Sequence, residues 1–217
     1  SKALGDFLDH LSAGGGAGGN FTANAYNMEA DYGPLPFDVP HRFVTSFTVE
    51  SPVGEGRKFD LKGVAGAVLG DWVVNGILTF DSGLPFTIGA NDQSGSGPGR
   101  SSRANCIGNA LPDGFEQTNA KWFDTSAFAQ PTALTYGNCG YNTMRGPRSK
   151  SANMSIFRNI RLPNERRIEL RAEVFNLFNW VNWSFPGSSV ANPSTFGVIT
   201  STRGDERQMQ VAIKFYF

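Results

Sequence analysis

The chain has few residues that could do chemistry, and its two cysteines are the most informative of them. Cys106 and Cys139 both lie in a long segment without hydrophobic periodicity. Two cysteines in one loop of an exported protein most simply form a disulfide, which on the loop-entropy model contributes about 3 to 4 kcal/mol to holding the loop. Free thiols and a metal site are the alternatives. A metal needs more ligands, and the two histidines, His10 and His41, are distant in the sequence.

Other constellations that could carry catalysis or binding are missing from the sequence. It contains no Gly-x-Ser-x-Gly or His-Glu-x-x-His motif, and a catalytic triad would have to use His10 or His41. The glycine-rich stretch 12–19 is not followed by the Gly-Lys-Ser/Thr of a phosphate-binding loop. The 19 acidic and 19 basic residues cancel, which argues against nucleic-acid binding. We therefore expect no enzyme, such as a lipase or protease, no cofactor and no nucleic-acid partner.

The last eleven residues, 207–217, have the period of a strand, because large apolar side chains alternate there with polar ones. The apolar parity holds Met209, Val211, Ile213, Phe215 and Phe217, and the other parity holds Gln208, Gln210, Ala212, Lys214 and Tyr216. About ten residues of such alternation are the length that a tilted strand needs to cross a bilayer. A strand of a soluble β-domain is the alternative.

Residues 166–179 show the same alternation with charges on one parity. Ile168, Leu170, Ala172 and Val174 oppose Glu169, Arg171 and Glu173. Three successive charged positions are too costly for a dry core but suit a water-filled lumen, although a soluble sheet with one solvated face would read similarly. We predict that Met209, Val211, Ile213, Ile168, Leu170 and Val174 face lipid or a partner. We predict that Glu169, Arg171, Glu173, Gln208, Gln210 and Lys214 face the lumen.

The composition suits strands joined by turns and loops, with 26 Gly, 18 Phe, 12 Pro and only 18% charged residues. No apolar run approaches the roughly 18 residues of a membrane helix, so a membrane interpretation must rest on strands.

We predict an all-β fold, a single antiparallel barrel segment over 1–217 with short periplasmic turns and a long extracellular loop at 91–150. The chain has no initiator Met and no leader, so we expect a processed piece. The six predicted strands are 1–8, 42–51, 70–88, 153–162, 166–179 and 207–217.

Three local features accompany these strands. Arg158 interrupts the apolar parity of its strand, which is tolerable near a membrane boundary where its side chain can reach water. The segment 63–69 is small and apolar, and its sequence is compatible with a turn or with the beginning of a strand. An aromatic girdle at a membrane edge, or else a small loop core, is predicted for Phe175, Phe178, Trp180 and Trp183.

Several motifs in succession resemble the carboxy-terminal barrel region of TonB-dependent outer-membrane receptors. The Oar-like branch, common in acidobacteria and carrying a carboxypeptidase-regulatory-like amino-terminal domain, is the most similar. The motifs are Asp31-Tyr-Gly, Phe37-Asp-Val-Pro-His-Arg-Phe43, Ser82-Gly-Leu-Pro-Phe86, Trp122-Phe-Asp-Thr-Ser-Ala-Phe128, Asn153-Met-Ser-Ile-Phe-Arg-Asn-Ile160, the run Val174-Phe-Asn-Leu-Phe-Asn179, Phe196-Gly-Val-Ile199 and the closing strand. The resemblance spans essentially the whole chain.

The resemblance implies roles for the end of the chain and for its partners. In that family the final aromatic strand is similar to the signal that the outer-membrane assembly machinery reads, which would give Phe215 and Phe217 a targeting role. The family's plug domain and TonB-contacting box have no counterpart in these residues, so the resemblance implies a piece that is not competent for transport alone. The Arg203-Gly204-Asp205 tripeptide is then a loop element of the family.

Six strands are too few to close a membrane barrel comfortably, because small membrane barrels have about eight. An open sheet exposes two edges and an apolar face, which something must cover. The rest of the receptor barrel, other copies of this chain, or two further strands near 20–27 and 196–202 could do so. The sequence therefore predicts part of an outer-membrane receptor, with outer-membrane lipid as partner. The alternative is a fragment that assembles edge to edge into an extracellular tube or filament.

Overall fold

The computed structural model describes residues 2–5, 23–24, 26–54, 56–96, 102–164 and 166–217. Within these ranges the chain separates into two compact units. The first, which we call the loop unit, takes the described residues of 1–41, 82–148 and 182–203. The second, the sheet unit, comprises 42–81, 149–181 and 204–217. His10 and half of each of the predicted strands 1–8 and 20–27 lie outside the described residues.

The sheet unit is built on five antiparallel strands, which confirms the predicted all-β antiparallel fold class. The strands are β1 (Arg42–Glu50), β2 (Trp72–Asp81), β3 (Ser149–Arg161), β4 (Arg167–Phe175) and β5 (Gln208–Tyr216). Each strand pairs with its neighbours in chain order, so the sheet is a meander with β1 and β5 at its edges. The sheet is open, and the stretch 196–202 forms isolated bridges instead of the further strand proposed for closure.

The connections divide the sheet into two ends. At the loop end, the segments 82–148 and 176–207 join β2 to β3 and β4 to β5. At the turn end, β3 and β4 are joined by 162–166, where Asn164 has a φ of 63°. The other connection at the turn end, 51–71, is longer than predicted and contains the helix α1 (Gly63–Leu69).

Helix α1 corrects the prediction that 63–69 forms a turn or the start of a strand. Its residues show no alternation: only alanine and glycine lie between Val64 and Val68, and Leu69 follows Val68 directly. A Cβ atom at Gly66 would overlap the carbonyl group of Leu61, so the close approach of these two backbones requires glycine. None of the helices in the described part of the chain is long and apolar enough to cross a membrane.

Two predicted strands differ from the structure. Strand β2 ends at Asp81 instead of continuing to Ile88, and Pro85–Phe86 pairs with Met144–Arg145 in a separate short ladder. The change of direction comes at Gly83, where a Cβ atom would overlap the carbonyl group of Gly146. Of the range 1–8, Leu4–Gly5 pairs with Gly33–Pro34 and not with the large sheet. The structure therefore has five long strands among its described residues, not six.

The loop unit has a hydrophobic core of its own, although its sequence lacks periodicity. Phe123 is fully buried at the centre, with its ring 6.3 Å from Phe86, 5.5 Å from Phe128 and 5.1 Å from Phe196. Short elements support this core: 3-10 helices at Met28–Asp31 and Thr125–Ala127, and a ladder between Asn105–Cys106 and Phe128–Ala129. Most of the predicted loop 91–150 is thus folded structure, and its last two residues begin β3.

Two arginine–aspartate pairs tie the loop unit together. Arg103 contacts Asp31 at 2.7 Å, and both side chains are only 5% exposed. Arg103 also donates a hydrogen bond to the carbonyl oxygen of Ala30. The second pair joins Arg145 to Asp38, whose side chain is 2% exposed. Removing one partner of a buried ion pair leaves an uncompensated charge, so these pairs specify how distant loop segments meet.

Candidate functional site, a sheet with one apolar and one polar face

The predicted lipid-facing residues meet on one face of the sheet. In the β4–β5 register, Val174 lies opposite Met209, Leu170 opposite Ile213 and Ile168 opposite Phe215. On β5, Met209 is 73% exposed, Val211 85% and Ile213 75%. Apolar side chains of this size, lined up and open to the surroundings, form a surface that water does not solvate well.

The same apolar face continues across the other three strands. Ile156 lies opposite Ala172 on β4 and opposite Val74 on β2. Val74 in turn lies opposite Val49 of β1. The remaining apolar residues on this face are Phe43, Phe47, Trp72, Leu78, Phe80, Ala152, Met154 and Ile160.

A glycine on this face is covered by an aromatic ring. Phe47 lies opposite Gly76, and a Cβ atom at Gly76 would overlap the Phe47 ring. An aromatic side chain that covers a cross-strand glycine shields its backbone and helps to fix the register of the strand pair. The absence of a side chain at Gly76 is therefore part of the packing between β1 and β2.

The opposite face carries the predicted lumen-facing residues. Glu169 forms an ion pair with Lys214 at 3.8 Å across the β4–β5 ladder, and Gln210 donates a hydrogen bond to Glu173. Arg171 contacts Glu173 at 3.1 Å. Gln208 lies opposite Phe175, which places this aromatic residue on the polar face. The charges of this face thus satisfy one another in pairs along β4 and β5.

An aromatic cluster lies at the loop end of the sheet unit, with a composition that differs from the prediction. The Trp180 ring lies 4.8 Å from Phe178 and 5.7 Å from Phe80, and Phe80 contacts Phe43 at 6.3 Å. The Lys150 ammonium group lies 4.9 Å from the Trp180 ring centroid. Phe175 lies opposite Gln208 and Trp183 belongs to the loop unit, so neither is placed in this cluster. Phe43 and Phe80 join it because their register places them at the same level.

Arg158 lies at the turn end, where it meets Trp72 and helix α1. Its guanidinium group is 5.9 Å from the Trp72 ring centroid, and the two residues are directly opposite on β3 and β2. The carbonyl oxygen of Val68 accepts from Trp72 Nε1 at 2.9 Å and from Arg158 Nη1 at 3.3 Å. Arg158, which lies between Ile156 and Ile160 on the apolar parity of β3, therefore caps the carboxyl end of helix α1.

Asn176 is a structural residue that the sequence reasoning did not single out. It has a φ of 50° and is 8% exposed at the start of the β4–β5 connection. Its side-chain oxygen accepts from the Trp180 N–H at 2.8 Å, and its amide donates to the carbonyl oxygens of Trp180 at 2.9 Å and Asp205 at 3.2 Å. Its own N–H donates to Asn153 Oδ1 at 3.0 Å. The repeated asparagines of the Phe-Asn-Leu-Phe-Asn run were the available signal.

The predicted disulfide is confirmed in the loop unit. Cys106 and Cys139 are bonded, with a Cα–Cα distance of 5.0 Å.

Asp38 is a buried carboxylate of the same loop unit, and it accepts a hydrogen bond from the Ala3 N–H at 2.6 Å. This bond, followed by the contact with Arg145, lowers the pKa of Asp38. Among the residues that the structure describes, no three His, Cys, Asp or Glu side chains lie together as metal ligands would.

The end of β5 keeps the side chains predicted as an assembly signal on the surface. Phe215 and Phe217 stack with their ring centroids 6.0 Å apart, and Phe217 is fully exposed. Their role in targeting remains a prediction.

Comparison with known proteins agrees with this architecture. The family model described as outer membrane beta barrel domain matches residues 1–210. No curated protein and no solved structure matches the chain significantly.

Proposed function

We propose that this chain is part of the barrel wall of an outer-membrane receptor. The chain belongs to the outer membrane beta barrel domain family, and this membership is the starting point of the proposal. The family places the chain in the bacterial outer membrane. We infer that the apolar face of the five-stranded sheet contacts lipid and that the polar face lines the lumen. The observation that carries this proposal is the separation across β4 and β5 of the exposed apolar side chains on one face from the ion-paired side chains on the other, with Phe175 as the exception at the end of β4.

The height of the apolar face supports its assignment to lipid. On β3, Lys150 and Arg158 bound a run of apolar positions on this face, each beside a tryptophan. Eight residues of strand span about 26 Å, which at a tilt of roughly 40° covers about 20 Å of bilayer thickness. Outer-membrane barrels have an apolar band of about 25 Å between aromatic girdles. The two cation–aromatic pairs thus mark candidate boundaries of the hydrocarbon region.

The directions of the edge strands determine what can complete the barrel. Because five strands alternate in direction, β1 and β5 run parallel to each other. Closing the sheet on itself would create one parallel pair, whereas an all-antiparallel barrel needs an odd number of further strands between these edges. A larger barrel with an even total provides such a number, as in the receptors that the chain resembles.

The same geometry bears on the alternative, a tube or filament built from copies of this chain. Copies that share one orientation in a membrane would also meet through parallel pairs. Antiparallel pairing between copies requires that neighbours be inverted, which exchanges their loop and turn ends. The observations therefore favour completion by other strands of a receptor barrel over self-assembly within the membrane.

We further propose that this receptor is TonB-dependent and of the Oar-like type, on the strength of the succession of motifs from Asp31 to Phe217. The test uses antibodies against this chain on outer membranes of the source cells. We expect a native chain much longer than 217 residues, which is retained by the immobilised periplasmic domain of TonB. A native chain of about this length that forms long regular polymers in electron microscopy would instead establish the filament alternative.

A further inference from the structure

The connection between β1 and β2 has an unusual surface at the turn end of the sheet. Helix α1 has no polar side chain, and Val64 is 81% exposed, while Val68 and Leu69 are both 57% exposed. Phe59 and Leu61, which precede the helix, are also exposed. Val64 and Val68 are four residues apart and therefore share one side of the helix. Isolated exposed apolar side chains are ordinary, but here five large ones fall within the eleven residues 59–69.

The hydrogen bonds of α1 fix its place relative to the faces of the sheet. Its Val68 carbonyl oxygen accepts from the side chains of both Trp72 and Arg158. Both of these residues have the parity of the apolar face, since Trp72 precedes Val74 by two and Arg158 follows Ile156 by two. The carboxyl end of the helix therefore adjoins the border of the apolar face.

Cationic side chains lie beside this apolar group. Lys58 is placed over the Phe59 ring at 5.6 Å, and Lys62 immediately precedes the helix. Arg158 contributes a third cation, stacked on Trp72. Lysine, arginine and tryptophan next to apolar residues are the side chains that favour the boundary between headgroups and acyl chains.

We propose that residues 59–69 lie in the phospholipid leaflet at the turn end of the sheet, with Val64 and Val68 among the upper acyl chains. The occupant of this surface is a lipid bilayer and not another protein, because the helix is hydrogen-bonded to Trp72 and Arg158 at the border of the face assigned to lipid. The inference rests on the proposed function, since it uses the apolar face as the lipid contact. The segment acts as a surface anchor that fixes the depth of the sheet in the membrane.

The test is the lipid exposure of a fluorescent label in the native receptor chain that contains these residues, reconstituted into vesicles of phosphatidylethanolamine and phosphatidylglycerol. Single variants Val64→Cys and Val211→Cys carry an environment-sensitive label. The matched control is Leu134→Cys, because Leu134 is an apolar residue of the loop unit with the same 81% exposure as Val64. Quenching by lipids with a spin label on the upper acyl chain is compared with quenching by aqueous iodide.

We expect strong lipid quenching and weak iodide quenching at positions 64 and 211, and the reverse at position 134. Lipid quenching at 211 with iodide quenching at 64 overturns the anchor and leaves the barrel proposal intact. Iodide quenching at both positions overturns the proposed function itself.

A second measurement does not depend on the label. Val64→Asp should reduce several-fold the fraction of the native receptor chain that folds into vesicles, because it places a charge in the acyl region, whereas Leu134→Asp should leave that fraction unchanged. Equal folding of both variants contradicts the anchor. Val64→Ser repeats the test with a smaller change, and a loss intermediate between those of wild type and Val64→Asp is expected.

Discussion

At the scale of single residues, Asn176 shows how one side chain organises the entry to a long connection. Its backbone adopts the left-handed conformation, which costs most residues roughly 1–2 kcal/mol and which asparagine tolerates better. Its amide group then joins the chain at Trp180 to the chain at Asp205. Both the backbone and the side chain thus depend on asparagine at this position.

The first prediction concerns Asn176→Ala, which should destabilise the sheet unit by about 3 kcal/mol, because it adds backbone strain and leaves buried backbone groups unpaired. Asn176→Gly should cost about 1 kcal/mol less, since glycine removes only the strain. Urea unfolding in vesicles, followed by tryptophan fluorescence, measures both. Asn164→Ala, at an exposed left-handed turn position, is the control for the backbone cost alone. Equal losses in Asn176→Ala and Asn164→Ala would contradict the bonding role.

The second prediction concerns Asp38, whose lowered pKa makes the stability of the loop unit depend on pH. Because its folded pKa lies below the ordinary carboxyl value of 3.8, its contribution is fully present above that value and is lost as the pH falls through the folded pKa. Asp38→Asn should therefore be less stable than wild type at pH 7, and the difference should shrink as the pH falls below about 4. Thermal melts followed by near-ultraviolet circular dichroism measure this difference. A difference that is constant with pH would show that the charge of Asp38 is not involved.

Residue parity was readable from the sequence, and long-range side-chain bonds were not. The alternation in 207–217 predicts Met209 and Lys214 on opposite faces because a strand places successive side chains on opposite sides. The two cysteines predict their bond because both lie in one long loop segment of a chain expected to be exported. In contrast, the contacts of Asn176 with Asp205 depend on where two distant backbones meet, which no local pattern encodes.

At the scale of elements, the pairing of Phe47 with Gly76 connects sequence to sheet geometry. The third prediction is that Gly76→Ala destabilises the β1–β2 pair by about 1 to 3 kcal/mol, because the new methyl group overlaps the Phe47 ring and forces it away. The measurement is the urea midpoint of the folded chain in vesicles.

A double-mutant cycle is the control for this pair. Phe47→Ala removes the ring, so adding Gly76→Ala to that variant should cost much less than it does in wild type, and a glycine removed from a strand then gives some backbone stabilisation. Additive losses in the double variant would show that the two residues do not interact.

The existence of a strand could be predicted wherever polar and apolar residues alternate over many positions. Helix α1 could not be predicted in this way. Strand β5 has alternating residues over its full length, whereas Gly63–Leu69 consists of small apolar residues that fit a strand or a helix equally. The end of β2 was predicted too late because Leu84, Phe86 and Ile88 continue its parity. The chain turns at Gly83 because Gly146 approaches it there, and this contact comes from a segment far along the sequence.

At the scale of the whole molecule, the disulfide lies in the loop unit and the five long strands form the sheet unit. The fourth prediction is that replacing both Cys106 and Cys139 by serine destabilises the loop unit by about 3 to 4 kcal/mol on the loop-entropy model, while the five-stranded sheet keeps its stability. Limited proteolysis of the folded chain in vesicles distinguishes the two, because new cuts should appear between Asn91 and Arg148 only. New cuts within β3 or β4 would show that the two units unfold together.

The compactness of the loop unit was not readable from the sequence. Its central Phe123 is surrounded by Phe86, Phe128 and Phe196, which come from two-residue ladders and loops and not from one long periodic element. No period of 2.0 or 3.6 residues marks such a core, so the segment resembles an unstructured loop until its contacts are known. The motif Trp122-Phe-Asp-Thr-Ser-Ala-Phe128 was visible in the sequence, but its role in forming this core was not.

The parallel relation of the two edge strands has a consequence for how such a chain can evolve. A gene duplication that joined two copies end to end would place the start of the second β1 on the opposite side of the membrane from the end of the first β5. The new linker would then have to supply one more crossing before the second copy could insert. Barrels of this kind are therefore expected to grow or shrink by whole hairpins, and an inserted or deleted hairpin is the change that their genomes should tolerate.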